Sequence, residues 1–396
     1  SPVSREATFI FNNWLLVVMT VVVLFGTLWP KIKEGVFGQE VAIGPPWFNR
    51  WMVPLGILLL LLMAIGAIIP WRRTTAASFK KQFTTPILAT LVISPVVLSA
   101  YWFGRGQFLG ATPTPLELTY AVITAVLAIF ASAVMIIDVW RAASIRMNRH
   151  DESLSMAILT LFQKQRRRYG GYIVHFGIVC AFVAFAGNAL KLEQDVSLQR
   201  GESFTLGDYT FTYKGLSDKN MSDKVLITAA VDTYSNDKKL YTLHPGKAIF
   251  HASPNMPTSE IDIRTTPLED VYVALVNFDA QQGTAAFKIF IAPFTWWFWL
   301  GGTILLFGTL VSMWPKQEEL ITLKPSAGLF VRATGFTALS LLCGAPLLVL
   351  TLEQNTQWGS AVRYELIQEE VSAKQAPSAP EPTTDKPESG NQEEDQ

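Results

Sequence analysis

Cysteine is almost absent from this 396-residue chain, and charge is scarce. The two cysteines, Cys180 and Cys343, both fall in apolar runs. They form no CxxC pair and no metal-type spacing, which leaves them as small core residues. Only 16% of the residues are charged while 50% are apolar, and the mean hydropathy is positive. Soluble domains are rarely so apolar, and here the apolar residues come in blocks. The formal charge sums to zero, and no nucleic-acid partner is expected. No internal repeat and no pair of Gly/Pro-broken spans is visible, which speaks against a secondary transporter. No secretory signal is apparent, because the first apolar block lies too close to the next. The first residue is serine, as expected of a processed chain or of part of a longer polypeptide.

What is present is a series of blocks long enough to cross a hydrocarbon core about 30 Å thick. Seven spans are predicted: Phe9–Trp29, Trp51–Pro70, Pro86–Phe103, Leu116–Asp138, Tyr172–Leu190, Pro293–Trp314 and Ala333–Leu352. Tryptophans mark many of their ends, as interfacial belts do. Short loops on one side carry fifteen Lys and Arg residues, Arg5, Arg141 and Arg166–Arg168 among them; those on the other carry four. The basic side is cytoplasmic by the positive-inside rule, so the amino end is expected inside and the carboxyl end outside. Gly44-Pro45-Pro46 followed by Trp47-Phe48 predicts a rigid loop along the membrane surface. A short interfacial helix is predicted around Leu154–Phe162.

Between the fifth and sixth spans the pattern changes. Alternating runs at Phe204–Leu206, Tyr209–Tyr213, Val225–Tyr234, Lys239–His244, Val271–Phe278 and Thr284–Ile289 are separated by turn residues such as Ser235-Asn236-Asp237. The predicted fold is therefore a polytopic α-helical membrane protein of about seven spans with an inserted extracytoplasmic small β domain. Its parts are residues 1–190 (helices 1–5), 191–287 (the periplasmic β domain), 288–352 (helices 6 and 7) and 353–396 (an acidic tail). From Tyr364 the tail has nine acidic residues against two lysines, a composition expected to be disordered.

The candidate site lies at the start of the fifth span. Arg166-Arg167-Arg168-Tyr169-Gly170-Gly171-Tyr172-Ile173-Val174-His175 places an imidazole one turn inside an apolar run. Histidine at that depth is costly without a partner. At steps of three and four, Arg168, Gly171 and His175 share a helix face: a cation at the interface, a residue without a side chain, then an imidazole. That order suits a porphyrin whose iron takes His175, with room left by Gly171 and a propionate within reach of Arg168. The alternative is a histidine bonded to a neighbouring helix. His150 reads as solvated, His244 and His251 as surface or packing residues, and Trp296-Trp297-x-Trp299 as an interfacial anchor.

Several strings stand together in order: Ser4-Arg5-Glu6-Ala7-Thr8 with Asn12-Asn13, Gly44-x-Pro46-Trp47-Phe48-Asn49, and Gly170-Gly171-Tyr172-Ile173-Val174-His175-Phe176-Gly177. Tyr209-Thr210-Phe211, Ile263-Arg264 with Asp270-x-Tyr272, and Pro293 with Trp297-x-Trp299-x-Gly301-Gly302 follow. From Ser1 to about Trp314 the chain resembles the carboxyl-terminal half of the bacterial cytochrome c maturation haem lyases, the CcmF/NrfE family. The resemblance implies covalent attachment of haem to apocytochrome c at the outer face of the inner membrane, with haem delivered by a CcmE-type chaperone and a CcmH-type protein handling the apocytochrome. It also implies a haem b in the membrane held by two histidines, one matching His175 and the other in an amino-terminal half not in this chain. The family's WGxxWxWD segment and the two outer histidines that flank it are absent here, and neither His244 nor His251 inherits their role. A component of a haem lyase that works with an amino-terminal partner is the favoured reading; a non-catalytic scaffold docking that partner is the alternative.

Overall fold

In a computed structural model of the chain, residues 5–69, 76–104, 114–254, 256–279 and 281–314 are described. Seven helices fall within them: α1 (Arg5–Phe37), α2 (Pro45–Ile68), α3 (Ala76–Gly104), α4 (Pro115–His150), α5 (Leu154–Lys164), α6 (Arg166–Asn188) and α7 (Thr295–Met313). All but α5 are long and apolar enough to cross a membrane, which makes six such helices among the described residues. The seventh expected span, Ala333–Leu352, and the acidic tail lie outside them. In hydrocarbon every backbone polar group needs an internal partner, so an apolar run of this length becomes helix. Much of the outward surface is apolar, with Phe11 and Trp14 of α1 and Leu91 and Val92 of α3 all at least 60% exposed. Such a surface suits lipid or another apolar partner rather than water.

Local chemistry sets the helix ends. Before α4, the Thr114 hydroxyl accepts from the Glu117 N–H at 3.3 Å while the Glu117 carboxylate accepts from the Thr114 N–H at 2.9 Å, a capping box with Pro115 in the first turn. At 36 residues and about 1.5 Å per residue, α4 outreaches the bilayer core. It ends where Asp151 turns left-handed (φ 52°). There Arg146 clasps Glu152 through two hydrogen bonds of 2.7 Å, and the chain reverses into α5, the helix expected around Leu154–Phe162. Trp47 and Phe48 are not in a surface loop: Pro45 and Pro46 begin α2, where a fixed proline φ suits the first turn, and both rings lie against Gly26 of α1. Inside α3, Pro86 lacks the N–H that would bond the Gln82 carbonyl. Arg141 of α4 donates to that carbonyl at 3.4 Å and to Thr85 at 2.9 Å, tying the two helices at the break.

Between α6 and α7 the described residues form a β-sandwich of ten strands. One sheet orders β1 (Leu192–Gln199), β10 (Thr284–Pro293), β9 (Glu269–Asp279) and β8 (Asp262–Thr265). The other orders β2 (Ser203–Leu206), β3 (Tyr209–Asn220), β4 (Lys224–Ser235), β6 (Gly246–Phe250) and β7 (Thr258–Glu260), with β5 (Lys238–Leu243) also paired to β4. Every pairing is antiparallel. Asn236 and Asp237, both at positive φ, form the two-residue β4–β5 turn, whose twist matches the strands. Phe211, Tyr213, Val231, Val273, Leu275 and Phe287 meet between the sheets. Alternate residues of β10, from Ala285 to Ile291, point into that core, and the ladder runs on to Pro293, past residue 287, where the sequence had placed the domain's end.

Helices α6 and α7, which carry the β-sandwich between them, pack backbone to backbone. A Cβ on Gly177 would come within 2.6 Å of the Gly301 carbonyl oxygen, one on Gly308 within 2.6 Å of the Val174 nitrogen, and one on Gly170 within 2.8 Å of the Ser312 nitrogen. Small residues allow such approach in membranes, where dispersion and close contact replace the hydrophobic drive. The 266–269 turn braces the joint, since the Leu268 carbonyl accepts from the Phe294 N–H at 2.9 Å and the Pro267 carbonyl from the Trp297 indole at 2.9 Å.

Candidate functional site

The close packing of α6 divides its surface. Gly170, Val174 and Gly177 meet α7, while Tyr169, Tyr172 and Val179 enter a core shared with Leu60 and Ala64 of α2 and Val134 and Met135 of α4. Arg168, Gly171 and His175 lie on the flank between those two faces. A Cβ on Gly171 would meet nothing within 4 Å, unlike one on Gly170 next to it. His175 is half-buried, with its Nδ1 atom enclosed. Two turns further along the flank, the Phe182 ring closes against Gly56 of α2.

At the Arg168 end is a cluster that joins three helices. Arg168 Nη2 donates to Asp138 Oδ2 of α4 at 2.7 Å, and the Tyr172 hydroxyl lies 2.9 Å from the same oxygen. That hydroxyl also lies 3.2 Å from the Ala67 carbonyl, in the last turn of α2, where helical carbonyls lack intrahelical partners. The guanidinium carbon is 5.6 Å from the Tyr169 ring centroid and 5.9 Å from that of Tyr172, within cation–π range. Arg168 therefore leans onto α4 rather than reaching freely along the flank. Asp138 and Tyr172 were not singled out in the sequence. The only signal for Asp138 was its place as the single carboxylate closing a span.

The flank fits a haem. It has an imidazole in an apolar helix, open room one turn before it where a Cβ would meet nothing, and a guanidinium at the mouth that keeps donors beyond the one given to Asp138. His175 would hold the iron, Gly171 would leave space for the ring, and Arg168 would face a propionate.

The remaining histidines sit elsewhere. The backbone N–H of His244 donates to the Asp262 carboxylate at 2.6 Å; burial lowers the His244 pKa, while Asp262 and Asp232 act to raise it. Nε2 of His251 pairs with the Met221 carbonyl at 3.1 Å, and His150 is exposed at the end of α4. Among the described residues no three His, Cys, Asp or Glu side chains gather to hold a metal ion. Cys180 is buried as a free thiol, while Cys343 lies outside the described residues. Trp297 is the indole that holds the 266–269 turn, and Trp299 is 67% exposed.

Comparison with known proteins supplies the context. Residues 189–293 match a family model described as the CcmF C-terminal beta-sandwich. The cytochrome c-type biogenesis protein ccl1 of Rhodobacter capsulatus is 29% identical over 322 residues, which is 80% of this chain and 45% of that protein. CcmF of Pseudomonas fluorescens is 29% identical over 318 residues, 80% of this chain and 44% of its own. CcmF of Escherichia coli is 26% identical over 327 residues, 82% and 46%. A solved structure of the cytochrome c haem lyase CcmF shares the fold with a TM-score of 0.60 at 23% identity, covering 80% of this chain and 46% of that one. The chain thus spans a little under half the length of the curated relatives it matches. It is similar to the carboxyl-terminal part of the CcmF/NrfE proteins, as its motifs implied.

Proposed function

We propose that this chain is the carboxyl-terminal part of a haem lyase of the bacterial inner membrane, and that His175 would hold the iron of a membrane-embedded haem b. The observation that carries the reading is the Arg168–Gly171–His175 flank of α6, open beside Gly171, in a chain similar to cytochrome c biogenesis proteins. The second ligand would come from an amino-terminal half, fused or separate. Attachment of haem to an apocytochrome c would take place outside, with a CcmE-type chaperone supplying the haem and a CcmH-type protein the apocytochrome. The amino end would be cytoplasmic and the β-sandwich periplasmic.

Bound there, a haem b supplies a one-electron relay across the membrane. The chain's own residues do the positioning. His175 is aimed by a helix that cannot roll, because Gly170, Gly177, Gly301 and Gly308 lock α6 onto α7. The β-sandwich is carried by the same two helices and braced through Trp297 and Phe294, so it holds a set height above the flank. Thioether formation depends on bringing thiol and vinyl together, and such positioning is where a frame of this kind contributes most.

The test is co-purification with the amino-terminal half, followed by absorbance spectra with and without reductant. A reducible b-type spectrum that disappears in His175→Ala, with the protein still in the membrane, is the expected result. An unchanged spectrum in that variant refutes the ligand. A complex that makes holocytochrome c without any b-type spectrum points to the chain as a scaffold.

A further inference from the structure

Asp138 has no part in the ligation described above, yet it is the acceptor on which the mouth of the flank is organised. Its Oδ2 takes the Arg168 guanidinium at 2.7 Å and lies 2.9 Å from the Tyr172 hydroxyl, which ties α4 to α6, and through Ala67 to α2. The pair is half-sheltered, with the Asp138 side chain 21% and the Arg168 side chain 44% exposed. Charges so placed are screened less than a surface pair.

We propose that Asp138 is a positioning residue for the haem at His175: it sets the direction of the Arg168 guanidinium at the propionate edge and balances its charge, thereby tuning the reduction potential of the iron. The proposal rests on the His175 reading. Arg168 precedes His175 by seven residues, about 10 Å along the helix axis. At that distance a unit charge changes the ratio of oxidised to reduced haem by between about twofold and tenfold, depending on how much water screens it. Neutralising Asp138 leaves the Arg168 cation uncompensated, which favours the reduced iron and raises the midpoint potential. Removing both charges cancels that change.

The experiment is a reductive titration of the complex of this chain with the amino-terminal half, monitored by the b-type absorbance. Asp138→Asn is expected to raise the midpoint. The double variant Asp138→Asn with Arg168→Gln should bring it back to the wild-type value or below. Tyr172→Phe, which removes a hydroxyl but no charge, should leave it in place, and Asp138→Glu should restore it. A purely structural clasp would lower haem occupancy in all of these variants without the reversal. A midpoint that does not move in Asp138→Asn, or stays raised in the double variant, overturns the role of Asp138. The absence of any haem spectrum in the wild-type complex would instead overturn the reading on which it rests.

Discussion

Gly170 and Gly171 are adjacent in sequence, and the structure assigns them opposite fates. An alanine Cβ at 170 would lie 2.8 Å from the backbone nitrogen of Ser312 and 2.9 Å from its Cα. No rotamer can relieve a clash with backbone, so α6 and α7 would have to part, at the about 1–3 kcal/mol typical of overpacking. Gly171→Ala meets nothing within 4 Å and gains about 1 kcal/mol of helix propensity on the scale of soluble helices. The two variants should therefore differ in stability by about 1–3 kcal/mol in favour of Gly171→Ala, read as the thermal midpoint of the purified complex in detergent. The ordering inverts for the cofactor. Gly171→Leu fills the room beside His175 and is expected to lose haem absorbance while the protein stays folded and in the membrane. Equal stability of the two alanine variants would refute the packing argument, and a full haem complement in Gly171→Leu would refute the placement of the ring.

Three further expectations can be checked separately. Arg141→Ala removes the hydrogen bonds to the Gln82 carbonyl and Thr85 that tie α4 to α3 at the Pro86 break and should destabilise by about 1 kcal/mol, the net worth of a typical hydrogen bond; Pro86→Ala, which restores the helical N–H, should recover part of that loss in a double-mutant cycle. In the β-sandwich, burial alone would raise the Asp232 pKa, but hydrogen bonds from Lys239 and Thr242 outweigh it and hold the carboxyl below its usual range. A depressed carboxylate stabilises above its unfolded pKa and loses that contribution as pH falls, so Asp232→Asn should flatten the acid limb of the unfolding curve and leave the neutral-to-alkaline limb parallel to wild type. Cysteines placed at Ser217 and Ser155 should label from the periplasmic and cytoplasmic sides respectively; labelling of Ser217→Cys only from the cytoplasm would reverse the proposed orientation.

Part of this architecture was legible because one physical cause acted alone. Span-length apolar runs have no soluble alternative, so the helices were readable, and β10 alternates so regularly that its strand was too. Strand β1 was missed because Leu192-Glu193-Gln194-Asp195 carries no alternation of its own. It is an edge strand, buried mainly at Leu192 and Leu198, and it is held to β10 partly by Lys288, 2.6 Å from Glu193. That pairing is 95 residues away in sequence, and cross-strand charge is invisible before the register is known.

The candidate site divides in the same way. His175 stood out because an imidazole within an apolar run is expensive, and the cost is local. Helical spacing from Arg168 and His175 had already set Gly171 apart from Gly170; the fold adds what lies beside each, and only Gly170 lies against the backbone of α7. Asp138 was the least visible, because a carboxylate at the end of a span is already explained by water. Its meaning depends on a guanidinium thirty residues later and on a carbonyl of a third helix reached through Tyr172. A sequence therefore shows which group is costly to bury, and the fold shows what repays that cost; residues whose value lies wholly in the second question, as with Asp138, can be found only from the assembled helices.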